Sequence, residues 1–268
     1  MSSNRFNKIL VIDSIPKGES NTAKRLFEDI QSYANAYQES PFPEYIRIEN
    51  GDELLVVLSQ CRDLAISNDI YPMLHIECHG DEYGFQFADG SILDWPELKK
   101  PLTELNEAMH LNLMIAVAAC VGAALAKVIS MGDTAPFWGL IGPTDTALPS
   151  ELEAPYRALY LTLIKDKSPT KAIAAFEGVA KDGLYWRTTA QELFEKGWAL
   201  YKSRYCNKAT LEQRMEKMQR KVPHLDKAKL KKLFHKHEPI AFERYHRNFF
   251  MCDKFPEHVA RFPVEYKP

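Results

Sequence analysis

The sequence predicts an α/β protein: a doubly wound, mostly parallel sheet with helices on both faces, followed by a helical C-terminal extension. Three observations predict it. Strand-like and helix-like runs alternate three times in the first 140 residues. The run "LNLMIAVAAC" (111–120) is continuously apolar, as a central parallel strand buried on both sides must be. From Pro149 onward the pattern is almost wholly helical. The expected division is a sheet domain over residues 1–185 and a helical, basic extension over residues 186–268.

"KILVIDSI", Lys8 to Ile15, is a β-rich run ended by Pro16 and Gly18 and reads as the first core strand. Ser20 or Asn21 then caps a helix to about Gln38, with Ala23, Leu26, Phe27 and Ile30 at helical spacing. "EYIRIEN" alternates with period two as a second strand, and Asp52 caps a helix whose Leu54, Val57, Leu58 and Cys61 share one face. Pro72 opens the third strand, on which Leu74, Ile76 and Cys78 point one way and His75, Glu77 and His79 the other. Asp89-Gly90, flanked by alternating apolar residues in "YGFQFADGSILD", marks a hairpin.

Asp94 caps the next helix, Trp95 to about His110, with Pro96 in its first turn. After the apolar strand, Gly122 and the alanines at 123, 124 and 126 let a helix start tightly against the sheet. "FWGLIG" is the fifth strand and ends in the turn "PTD". Helices are expected over 150–165, 169–181, 189–203, 210–221 and 226–235, with Pro223 and Pro239 as separators.

Composition is that of a folded chain, 46% hydrophobic and 26% charged with a formal charge of −2, which excludes disorder. The charge is unevenly spread: Lys202 to His237 holds twelve Lys or Arg against three Asp or Glu, leaving the rest of the chain acidic. Aromatic residues are too sparse between Lys208 and Lys232 for a base-stacking platform, so nucleic acid is not the expected partner. Five cysteines without a CxxC fit neither a disulfide scaffold nor a common zinc site, and "HKH" (235–237) with His246 lacks suitably spaced companions; no metal and no cofactor are expected. The opening "MSSNRFNKILVID" has no hydrophobic signal core, and Asn112, Gly122 and Lys127 interrupt the 111–129 run. A cytoplasmic protein without membrane insertion is the expectation.

"MLHIECHG" stops at His79 and Gly80, and "LNLMIAVAACVGA" passes Cys120 just before a glycine, so both residues arrive at carboxyl strand ends. That edge of an open α/β sheet is where ligands bind. A thiol and an imidazole there are the parts of a cysteine nucleophile with its acid/base partner. Cys120 before a helix start lies in a field that lowers a thiol pKa, and the backbone N–H groups of Gly80 and Cys120 are candidate oxyanion donors. Cys61 and Cys78 read as core. Asp145 reads either as an acidic pocket residue facing a basic substrate side chain or as a turn or cap residue.

"HIECHGDEYGFQFADGSILDWPEL" followed by "LNLMIAVAAC" resembles the caspase-like cysteine peptidases, and most closely their CHAT subgroup, over roughly Lys8 to Ala175. The resemblance implies a caspase-like fold and a dyad of His79 and Cys120, with Gly80 at the oxyanion site. It further implies an intracellular thiol protease that cleaves a dedicated protein partner encoded by a neighbouring gene, in a bacterial defence or cell-death system. The alternative function is a catalytically inactive caspase-like scaffold that binds a protein partner through its basic helical end. Oligomeric state is not legible in the chain.

Overall fold

The computed structural model describes residues 6–37, 41–224 and 226–266, which fall into two compact units. One holds the described residues up to Ile129 together with Pro136–Thr189; the other holds Ser130–Ala135 and the described residues from Ala190 on. The expected boundary at residue 185 therefore falls at the start of a strand that belongs to the sheet.

The sheet unit opens with β1 (Lys8–Asp13), buried over its last five residues. Asn21 accepts the Lys24 N–H at 2.7 Å and caps α1 (Thr22–Tyr37). After β2 (Phe42–Arg47), α2 (Gly51–Asn68) starts at Asn50, whose side chain accepts the Glu53 N–H at 3.0 Å. Asp52, the expected cap, instead lies in the first turn, where its charge favours the helix N-terminus.

β3 (Pro72–Glu77) ends one residue before Cys78, which forms a bend. His79 then starts a separate short strand, β4 (His79–Gly80), rather than finishing the core strand. With β5 (Gly84–Gln86) and β6 (Ile92–Asp94) it makes a three-stranded antiparallel sheet, in which β5–β6 is the expected hairpin. Phe85 packs edge-on against Trp95 and Phe87, giving this small sheet its own apolar floor. α3 (Trp95–Ala108) follows, its Glu97 carboxylate accepting the Asp94 N–H at 2.9 Å.

β7 (Met114–Ala118) is wholly buried. The helix expected after it is a seven-residue 3₁₀ helix, Gly122–Val128. Gly122 presses on the strand so closely that a Cβ would stand 2.4 Å from Val117 Cγ1. β8 (Gly139–Pro143), α4 (Pro149–Asp166) and α5 (Pro169–Glu177) come next. β9 (Tyr185–Thr189) was not expected and pairs antiparallel with β8 as an edge strand.

The main sheet runs β2-β1-β3-β7-β8-β9, parallel except at β9. Strand alternation sends Ile9, Val11, Met73, Met114, Ala116 and Ile141 into one core with Leu26 and Ile30 of α1 and Tyr156 and Tyr160 of α4. The alternate residues face the other way, the side on which α2 and α3 pack together with buried Leu54, Leu58, Leu98 and Leu102. Two helical layers around a mostly parallel sheet make this an α/β fold.

The second unit contains α6 (Ala190–Tyr205), α7 (Lys208–Lys221), α8 (Lys227–Phe249) and α9 (His258–Arg261). Phe194, Trp198, Phe242, Phe249 and Phe250 form its aromatic core. His246 and His258 are buried in it, donating to the carbonyls of Phe262 and Phe250 at 2.8 and 2.7 Å. Pro239 does not separate helices: it stands on the exposed side of α8, where the carbonyl it leaves unpaired can be hydrated. Among the described residues no helix is long and apolar enough to cross a membrane.

Candidate active site at the carboxyl edge of the sheet

Parallel pairing of β3 with β7 places Glu77 opposite Ala118. Two residues further along each segment come His79, which opens β4, and Cys120, in the turn after β7. The backbones meet there, since a Cβ on Gly80 would lie 3.0 Å from the Cys120 carbonyl oxygen and 3.2 Å from Ala119 Cβ. A side chain at position 80 would press on the Cys120 turn, and glycine avoids that crowding.

Cys120 sits in a turn two residues past the end of β7, partly exposed, with Sγ 3.9 Å from the Ala147 carbonyl. The residue after it, Val121, is in the left-handed region at φ 55°. A β-branched side chain is rarely held there, and such strain gathers at functional turns. The Val121 N–H donates to the Asp145 carbonyl at 3.2 Å, which ties the cysteine turn to the loop after β8. The Asp145 carboxylate accepts the Thr146 N–H at 2.7 Å, the geometry of the turn reading.

His79 faces a residue that sequence reasoning missed. Its Nε2 lies 3.1 and 3.2 Å from the two carboxylate oxygens of Glu19, in the loop between β1 and α1. Both side chains are about half exposed, 45% and 49%. A carboxylate on one ring nitrogen orients the imidazole and leaves the other nitrogen for a second partner. No periodicity or spacing links residue 19 to residue 79; only the closing of the β1–α1 loop over the edge does.

Two more acids lie at strand ends below. Asp13 is fully buried and collects the Ile15 N–H at 2.8 Å, Asn21 Nδ2 at 2.6 Å, the Arg47 guanidinium at 3.0 Å and the Tyr45 hydroxyl. Burial, with Asp13 beside it, pushes the Tyr45 hydroxyl up to about 12. Glu77 is 2% exposed and is 3.3 Å from His75 Nε2, while His75 Nδ1 reaches the Tyr160 hydroxyl at 3.0 Å. Burial pushes the Glu77 carboxyl up, and the His75 contact opposes that shift.

Of the other thiols, Cys206 is partly exposed as Cys120 is, and three are buried. Cys61, Cys78 and Cys252 are buried, and burial raises all three, Cys61 to about 12 and Cys78 well above its ordinary value. Cys206 is raised by burial too. Raised thiols hold little thiolate at neutral pH and react slowly. Among the described residues no group of three or more His, Cys, Asp or Glu is placed to hold a metal ion.

No protein-family model matches the chain, and no curated protein matches it.

Proposed function

We propose that the protein is an intracellular cysteine endopeptidase of caspase-like fold, related to the CHAT subgroup, in which Cys120 is the nucleophile and His79 the general acid/base. The observation that carries this reading is the closure of the His79–Gly80 strand on the Cys120 turn at the carboxyl edge of a parallel sheet. The strained residue after Cys120 supports it.

In this reading His79 takes the thiol proton as Sγ attacks the scissile carbonyl carbon. The oxyanion is held by the N–H groups of Gly80 and Cys120. Collapse of the tetrahedral intermediate breaks the C–N bond, and the leaving amine takes the proton from the imidazolium. Water then attacks the thioester, giving its proton to His79; the acid product leaves and the thiol is restored. Half-exposed His79 turns from Glu19 toward Sγ as substrate arrives, because such contacts tighten only in the complex.

The substrate is a dedicated protein partner encoded by a neighbouring gene, in a bacterial defence or cell-death setting. The basic helices α7 and α8 are the surface that would hold an acidic partner, in a salt-dependent way. Incubating the chain with the neighbouring gene's product should yield discrete fragments, and Cys120→Ala should still bind the partner without cleaving it. An intact partner with wild-type protein, combined with loss of binding on replacing several lysines of residues 202–237 by glutamate, would favour the scaffold.

A further inference from the structure

The amino edge of the main sheet holds an apolar cavity of about 100 Å³ that the chemistry of the opposite edge does not use. Its floor is Met73, Met114 and Ile141 of β3, β7 and β8, and its walls include Leu159 and Leu163 of α4 and Ala172 of α5. All six are buried. Phe6, Trp138 and Ile173 also line the cavity but are only partly buried, and they form the rim where it opens.

The void is propped open by its neighbours. One turn after Ala172, on the same face of α5, Phe176 packs against Tyr156 of α4 and Tyr185 of β9, with ring centroids 5.4 and 4.9 Å apart. Those rings hold α5 and β9 away from the sheet by more than an alanine side chain fills. At the floor Gly139 pairs with Met114 in register, and a Cβ there would lie 2.6 Å from Met114 Sδ. Glycine and alanine thus stand where larger apolar residues would take up the space. Protein interiors are close-packed with few voids wider than a water, so an unfilled one forgoes contacts that a single larger side chain could restore.

Charge decides what can enter. Among the described residues the lining includes one charged side chain, Arg187, and no carboxylate. The Arg187 guanidinium is already held by Glu177 at 2.7 Å. A cation would meet no counter-ion here, and an anion would meet a guanidinium that Glu177 neutralises. A charged group would lose its hydration without replacement, whereas each methylene buried against these walls strengthens binding about fourfold. The thioethers of Met73 and Met114 are unbranched and adapt to the shape of what enters.

We propose that this cavity is a binding site for the uncharged aliphatic end of a small molecule. A cavity of about 150 Å³ walled by apolar side chains takes benzene, so one of about 100 Å³ takes a chain of about four carbons. The remainder of a longer ligand leaves past the partly buried rim. The site lies at the opposite end of the strands from Cys120, and its existence does not depend on the peptidase reading.

The test uses the full chain labelled with ¹³C in its methionine methyl groups, titrated with 1-butanol, butyrate and butylammonium, which share a chain and differ in charge. 1-Butanol should shift the Met73 and Met114 signals saturably and leave Met109, Met215 and Met251, buried elsewhere, unmoved. Affinity should rise about fourfold per methylene from ethanol to 1-butanol, and the two charged compounds should bind at least about tenfold more weakly. Ala172→Leu, which fills the space from within, should abolish the shifts. Shifts that never saturate, that spread over all the buried methionines, that the charged compounds match, or that persist in Ala172→Leu overturn the site. If Ala172→Leu does not fold, Leu159→Ala enlarges the cavity instead and should bind benzene at least about tenfold more tightly than wild type does. Equal benzene affinity in the two proteins overturns the site, and should neither variant fold, the wild-type titrations decide alone.

Discussion

The two edges of the main sheet are made by the same strands and carry opposite chemistry. At the amino edge Met73, Met114 and Gly139, the first residues or near-first residues of their strands, join Phe6, Trp138 and Leu159 around an apolar cavity of about 100 Å³. At the carboxyl edge β1 and β3 end in Asp13 and Glu77, and beyond them come β4 (His79–Gly80) and, after β7, the Cys120 turn. The first edge is built to hide surface from water. The second gathers charged and reactive groups, which the proposed reading assigns to chemistry.

That contrast can be broken most sharply by paired substitutions. Leu159→Ala removes a buried side chain beside the amino-edge cavity and should cost about 2–5 kcal/mol in denaturant unfolding. Cys120→Ala, in a partly exposed turn, should move stability by less than about 1 kcal/mol while removing cleavage. A Cys120→Ala protein as damaged as Leu159→Ala would mean that the thiol is core packing.

Gly122→Ala probes the join between strand and cysteine turn. The added methyl meets Val117 at both its Cβ and Cγ1, so overpacking should cost about 1–3 kcal/mol and displace the Cys120 turn. Calorimetric unfolding with Cys120 alkylation measured in parallel checks both parts; a neutral substitution would show that the 3₁₀ segment is loosely held.

The smallest effect concerns pH. Burial raises Glu77 above its ordinary value of 4.5, so the folded state holds that proton more tightly than the unfolded chain. Its contribution is therefore fully present below about 4.5 and is lost as pH rises through the folded value. Glu77→Gln, which keeps a neutral side chain throughout, should lose less stability than wild type across that rise. Parallel pH–stability curves for the two proteins would contradict the assignment.

The difference between the edges was only half legible in the sequence. The succession of strands and helices as far as β8, the β5–β6 hairpin and the arrival of His79 and Cys120 just past the ends of β3 and β7 follow from apolar runs and turn residues, which are local signals. β9 escaped because "YWRTT" lies between helical runs and is only partly buried, as an edge strand is. The turn of His79 out of β3 escaped because continuous alternation through Cys78 conceals a bend. Asn50 took the cap from Asp52 because both are cap-forming types two residues apart, and the extended backbone at Asn50 decides between them. The contact of Glu19 with His79 and the burial of Glu77 have no local signature; each depends on what a distant loop or strand brings alongside.

The central claim is that the carboxyl edge makes Cys120 a nucleophile through His79, and competitive alkylation tests it most directly. Folded protein is treated with limiting iodoacetamide, and each of the five cysteines is followed by peptide mass in wild type and in His79→Ala. Cys120 should be modified first, ahead of Cys61, Cys78, Cys206 and Cys252, whose thiols burial raises. His79→Ala should slow Cys120 alone, by at least about tenfold. Labelling of Cys120 at the same rate in both proteins, or no faster than Cys206, would contradict the account.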